Sequence, residues 1–248
     1  MKRILERMVM VDGPDCAGKG VVVEGLSEWV KLQGQSVFDV REFMKKYKVY
    51  PEFSDFESFD ALLTCEPTYA WTGLGLRDEM MAQNGRPYSA REIAEALSID
   101  RAILYRRLLA PATLFNKWVF QERGNITSFV YQPIHAKVDG ENLSLRKIKS
   151  LPGNKLTLNS YPPGLLLIAI CSAETAMKRK SSREKQDNCI YETKEYQELF
   201  INRYESRWLR RMYESRGTVV KYINTDNPST EEDTKEKAVL AFKDYSLK

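Results

Sequence analysis

Gly13-Pro14-Asp15-Cys16-Ala17-Gly18-Lys19 follows an apolar run, residues 8–11, and precedes a helical pattern. Gly-x-x-x-x-Gly-Lys between a strand and a helix is the arrangement that cradles nucleotide phosphates. Its glycines let backbone N–H groups turn inward around phosphate oxygens, and the following helix points its positive end at them. Lys19 then reaches the β- and γ-phosphates. The structural alternative is a glycine-rich turn that only packs a strand onto a helix. The motif has one defect: position 20 is Gly, where such a loop normally offers Ser or Thr to Mg²⁺, and position 21 is Val. Any metal must be held by water, by the nucleotide and by a carboxylate elsewhere.

Outward from the loop, strand-like and helix-like segments alternate. Residues 8–11, 36–40, 61–65, 118–121, 165–171 and 218–223 carry short apolar runs. Residues 18–33 show Val22, Leu26, Trp29 and Val30 on one helical face, with Gly34 as a stop. Residues 89–109 read as a long helix, opened by Ser89 with Glu92 three positions on, a capping-box spacing. Residues 125–132 read as a helix ended by Pro133, and residues 193–215 as one long amphipathic helix. A last helix is expected over 230–242. The stretch to about residue 161 reads as loop with one short helix near 143–149. Residues 42–60 are aromatic and charged without a clear period, an excursion to be packed by Tyr47, Tyr50, Phe53, Phe56 and Phe59. Such alternation implies a parallel sheet covered on both faces.

The chain has 248 residues, 43% hydrophobic and 29% charged, with a formal net charge of +4. That size buries a sizeable core without staples, and one domain is expected over its whole length. The modest positive charge suits an anionic ligand without demanding nucleic acid. A single His135 disfavours histidine catalysis or a histidine metal cluster. Cys16, Cys65, Cys171 and Cys189 lie far apart without metal spacing, so free thiols in a reducing compartment are expected. No stretch is apolar for long enough to span a membrane, and a cytoplasmic protein is expected.

Four further stations stand at strand ends or in helices near them. They are Glu66-Pro67-Thr68 with Gly73 and Arg77; Asp100-Arg101; Glu122-Arg123 with Thr127, Ser128, Tyr131 and Gln132; and a basic run through Lys178, Arg179, Lys180, Arg183 and Lys185 to Asp187 and Tyr191-Glu192. Phosphoryl transfer needs this inventory, because its transition state spreads negative charge that cations must stabilise. Arginine is suited to it, since its planar fork binds phosphate bidentately.

In order and spacing these stations resemble the thymidylate kinases, a family of P-loop nucleoside monophosphate kinases. The third reads Glu122-Arg123-Gly124-Asn125-Ile126-Thr127-Ser128-Phe129-Val130-Tyr131-Gln132, against the family's Asp-Arg-Tyr-x-x-Ser-Ser-x-x-Tyr-Gln. The resemblance covers roughly residues 8–225. It implies a three-layer α/β/α P-loop NTPase fold, with a parallel five-stranded sheet and a mobile basic lid over residues 178–190. It implies ATP as co-substrate with Mg²⁺, a deoxynucleoside monophosphate acceptor, most readily dTMP, and a homodimer. Gly13, Pro14, Asp15, Cys16, Ala17, Gly18, Lys19, Gly20 and Val21 would form the ATP site. Asp15 would lie near the acceptor sugar, and Arg77 and Arg123 would clamp the acceptor phosphate. Arg101 would read the base, and Glu66 would contribute to binding the acceptor. Leu97, Thr127, Ser128, Tyr131 and Gln132 would line the nucleoside pocket. Glu122 would organise Mg²⁺. Lys19, Glu122, Arg123 and Arg183 would carry catalysis, Arg183 from the lid because Cys16 replaces an arginine that some members keep in the loop.

The sequence departs from the family at five more places. Leu97 stands for a Phe that stacks on thymine, leaving Tyr69 or Trp71 to serve. Cys65 replaces the Arg before Glu-Pro, Gly124 replaces a Tyr, Glu122 an Asp, and Gly20 a hydroxyl. A deoxynucleoside kinase, which also carries Glu-Arg after a strand, and a catalytically weak nucleotide-binding protein are the rival readings.

Overall fold

The computed structural model describes residues 3–82, 84–182 and 193–247. Strand β1 (Leu5–Asp12) lies at the centre of a parallel sheet and pairs with β4 (Trp118–Glu122) on one side and β5 (Pro163–Ile170) on the other. Outward lie β3 (Ala61–Cys65) and the short β2 (Val37–Asp39) beside β4, and β6 (Val219–Asn224) beside β5. The order is β2-β3-β4-β1-β5-β6. There are six strands, not five. Each of the six apolar runs forms a strand, and the shortest is β2 at the edge, within the run 36–40, where three residues pair with Ala61, Leu62 and Leu63.

Side chains alternate along these strands and so divide the core into two layers. Met8, Met10, Leu62, Val119, Leu166 and Ile168 face one side. Val9, Val11, Leu63, Phe120, Leu165, Leu167 and Ala169 face the other. Helices α1 (Lys19–Leu32) and, from the chain's end, Glu231–Ser246 cover the second side. The first side is covered mainly by the long helices from the middle of the chain. The result is the expected three-layer α/β/α fold. No helix among the described residues is long and apolar enough to cross a membrane.

The excursion after β2 forms two helices, α2 (Val40–Tyr47) and α3 (Phe53–Phe56). Asp39 caps α2 by accepting from the Arg41 and Glu42 amides. Tyr50 and Phe56 are buried, and Phe59 packs beneath them. Tyr47 is half-exposed against Phe43, and Phe53 is partly covered by Phe56 and Phe115. After β3, α4 (Thr72–Gly75) runs into a π-helical turn, Leu76–Met80, and further on Ser89, whose hydroxyl and Glu92 make the expected capping box, opens α5 (Ala90–Leu104). The helix continues through a π-helical turn, Tyr105–Leu109, into α6 (Ala110–Leu114).

Three expectations are corrected. Pro133 does not end its helix: α7 runs Asn125–Val138. Proline removes the amide that would pair with the carbonyl four residues back, and the Arg203 guanidinium donates to that Phe129 carbonyl instead at 3.0 Å. The loop-rich stretch holds two helices, α8 (Leu145–Ser150) and α9 (Pro152–Asn159). Leu151, preceding proline, is held extended and separates them, while Pro152 opens the second. After α10 (Ala173–Ser181), the expected long helix is two, α11 (Lys194–Tyr204) and α12 (Arg207–Glu214). Between them Ser206 is extended and its hydroxyl donates to the Arg203 carbonyl at 2.5 Å. The final helix, Glu231–Ser246, is α13; Thr230 and Asp233 make its capping box.

Candidate active site

The loop between β1 and α1 lies at the carboxyl end of the sheet, where open α/β sheets bind ligands. Gly13 has φ 148°, and a Cβ there would lie 2.2 Å from the Ala169 carbonyl oxygen, so no other residue fits without moving β5. Gly18, also at positive φ, starts α1 with no side-chain cap and no acidic residue in the first turn. The first amides of α1 are thus left for an anion, in contrast to the capping boxes of α5 and α13.

Lys19 is buried, and its Nζ donates to the loop's own Gly13 and Pro14 carbonyls at 3.1 and 2.6 Å. Burial, with Arg123 nearby, brings its ammonium down to about 8. Asp15 lies 3.9 Å from Lys19 and pairs with Arg123. Tyr131 Oη accepts from the Asp15 amide and donates to its carboxylate. Burial would raise the Asp15 carboxyl, but Arg123 and Lys19 override it and hold it at about 2. Arg123 itself sits at φ 64°, a left-handed conformation that turns its side chain back onto the loop. Tyr131 is fixed by stacking on Phe200, ring centroids 4.0 Å apart. The structure therefore gathers Lys19, Asp15, Arg123 and Tyr131 into one cluster.

Beneath it lies Asp12, which the sequence reading passed over. It is fully buried and accepts from the Gly13, Gly124 and Thr127 amides, the Thr127 hydroxyl and the Tyr204 hydroxyl. One carboxylate thus caps α7 from the end of β1 and ties both to α11. Burial raises its pKa against the pull of Arg123. The Thr127 hydroxyl, expected in a nucleoside pocket, is turned to Asp12.

The second network is also inward. Arg101, 1% exposed, donates to Glu66, Asn154 and Ser128. Gln121 donates to the other Glu66 oxygen at 2.8 Å. Burial pushes the Glu66 carboxyl up to about 7 against the pull of Arg101. Asp100, one position before Arg101, accepts from the Thr68 amide and hydroxyl at 2.8 and 2.7 Å. The pair expected to present a base reader lies inward, bracing β3, α5, α7 and α9. Asn154 was missed because its helix was read as loop. Ser128 serves the brace, and Gln132 and Leu97 are buried nearby on α7 and α5.

This chain is similar to thymidylate kinases. It is 24% identical to the "Thymidylate kinase" of Prochlorococcus marinus strain MIT 9312 over 177 residues, 71% of each chain. Over 197 residues it is 22% identical to that of Finegoldia magna, covering 79% of this chain and 82% of the relative. No family model matches the chain.

At the strand ends beyond the loop stand the remaining candidates. Glu122 is partly exposed, and its Oε2 lies 4.0 Å from Arg41 NH1. Arg77 Nε donates to the Pro67 and Thr68 carbonyls at 3.0 and 3.1 Å, and its guanidinium lies over the Tyr69 ring at 3.9 Å. Trp71 is exposed and packs on Tyr50. From α10, Arg179 donates to the Cys16 carbonyl at 3.4 Å and to Thr225 at 3.1 Å. Arg179 thus joins the loop between β1 and α1 to the turn after β6, a contact the sequence reading did not single out. Arg183, the expected lid arginine, lies outside the described residues, as does most of the lid.

Proposed function

We propose that the chain is a nucleoside monophosphate kinase that transfers the γ-phosphoryl of ATP to a deoxynucleoside monophosphate, with dTMP as the acceptor. The cluster of Lys19, Asp15, Arg123 and Tyr131 around an uncapped helix start carries the reading. ATP phosphates take the α1 amides and draw Lys19 away from the Gly13 and Pro14 carbonyls. Arg123 and Arg77 hold the acceptor phosphate, Asp15 positions Arg123, and Arg183 from the lid adds charge in the transition state. Arg101 and Glu66 keep β3 and α5 in place beneath the acceptor. The resemblance adds a homodimer to the proposal.

The residues fit Mg²⁺. Among the described residues no group of three or more His, Cys, Asp or Glu forms a cage, and Mg²⁺ is usually held by one or two carboxylates, waters and substrate phosphates. Glu122, partly exposed and acting on Lys19, is the carboxylate that would hold it. When bound, Mg²⁺ neutralises charge on the phosphate oxygens. A Cβ at Gly20 would meet nothing within 4 Å. Gly20→Ser is therefore expected to lower half-saturating Mg²⁺ several-fold with kcat retained or raised, and to remove a helix glycine that costs about 0.5–1 kcal/mol. A magnesium titration of the rate checks this; an unchanged dependence means the metal lies away from position 20.

A coupled ADP-release assay with ATP and Mg²⁺ against the four dNMPs, UMP and thymidine tests the function. Turnover with dTMP and not thymidine is expected. Turnover with thymidine alone makes the chain a nucleoside kinase. ATP binding without turnover on any acceptor makes it a non-catalytic nucleotide-binding protein.

A further inference from the structure

We propose that Arg41, carried by the excursion after β2, completes the cationic clamp on the acceptor's 5′-phosphate; this rests on the monophosphate kinase reading. The sheet order fixes the geometry. Arg41 follows β2, which is separated from β4 by β3. Cys65 and Glu122 are register partners at the ends of β3 and β4. For its NH1 to come within 4.0 Å of Glu122 Oε2, the Arg41 side chain must cross the end of β3, over Cys65. Arg77 NH2 also reaches Cys65 Sγ, at 3.8 Å. Two guanidinium groups thus converge over a buried thiol that contributes no cation of its own.

Arg41 is held for this task. Its Nε and NH2 pair with both oxygens of Asp39, at 3.0 and 2.7 Å, a bidentate grip that fixes the guanidinium plane. Among the described residues NH1, the end toward the site, donates no hydrogen bond. Arg77 is arranged alike, with Nε and NH2 on backbone carbonyls. One helical turn on, Lys45 lies over the Tyr69 ring at 5.0 Å, on the same ring as Arg77. The occupant that satisfies such convergent cations is a dianionic phosphate, and beside Arg77 it takes the place proposed above for the acceptor phosphate. The excursion therefore contributes to the site, and Asp39 is a positioning residue.

Steady-state kinetics with dTMP at saturating ATP test the assignment in wild type, Arg41→Ala, Arg41→Gln and Asp39→Asn. Loss of one charge-assisted contact is expected to raise KM for dTMP roughly 10- to 100-fold in both Arg41 variants, with KM for ATP within about twofold. Asp39→Asn is expected to raise KM for dTMP less, since the guanidinium remains but loses its grip. The Gln variant keeps a polar side chain of similar length, so it reads the clamp even where Ala disturbs α2. Wild-type turnover of dTMP with unchanged KM in the Arg41 variants overturns the clamp and leaves the kinase reading standing. A wild type that phosphorylates no monophosphate overturns both.

Discussion

Lys19→Ala is expected to lower kcat by about 10²–10³-fold, the effect of removing one preorganised charge from a developing anion. The same change is expected to leave the melting temperature unchanged or raise it. Lys19 is buried among carbonyls, and its lowered pKa, set first by burial and then by Arg123, means that the folded chain holds this charge at a cost. Activity and stability therefore move in different directions, as at sites built for function. The folded ammonium titrates near 8 and the unfolded one near 10.5. Below about 8 both states are charged. Between these values the unfolded chain binds more protons, so Lys19's share of stability rises with pH across that window. ATP binding follows the opposite course. Phosphates favour the cation, so above pH 8 binding must take up a proton, and affinity falls by up to about tenfold per pH unit. Calorimetry at pH 9 in two buffers of different ionisation heat measures the uptake, and Lys19→Arg, which stays charged, should abolish it. A kcat loss below tenfold in Lys19→Ala would remove Lys19 from the phosphate site.

The strand, glycine loop and helix of residues 5–32 were legible because every requirement is local: the apolar run before the loop, glycines at 13 and 18, and a helical pattern after it. The capping box of α5 was legible for the same reason. What the sequence hid is made by distant elements meeting. Asp12 is an ordinary strand end until α7 and α11 add four donors to the amide of its neighbour Gly13. Pro133 broke its helix on paper because the compensating Arg203 lies 70 positions along, on another helix. Arg101 kept the family's place in the sequence, yet Asn154 and Glu66 draw it inward. Arg41 had no local signal; only the position of β2 outside β3 brings it to Glu122.

Arg101→Ala is expected to cost about 3–5 kcal/mol in urea unfolding, because it leaves the Glu66 charge buried without its partner. Glu66 and Arg101 are 3% and 1% exposed and lie 2.5 Å apart. The deficit should depend on pH. Burial already raises folded Glu66 to about 7 from an ordinary 4.5, against the pull of Arg101. A raised carboxyl binds more protons folded than unfolded, so its contribution to stability falls as pH rises from 4.5 through the folded pKa. Removing Arg101 raises that pKa further. The loss should then be largest near pH 8 and shrink toward pH 5, where the carboxyl is neutral in the folded chain. Glu66→Gln with Arg101→Met is expected to recover much of the deficit, since apolar or neutral replacement of both partners removes the buried charge as well as the pair. A positioning role predicts that this double variant keeps KM for dTMP near the wild-type value at temperatures where it is folded. A deficit below about 1 kcal/mol in Arg101→Ala, with KM for dTMP raised tenfold in both variants, would instead make Arg101 a residue that opens out to meet the base.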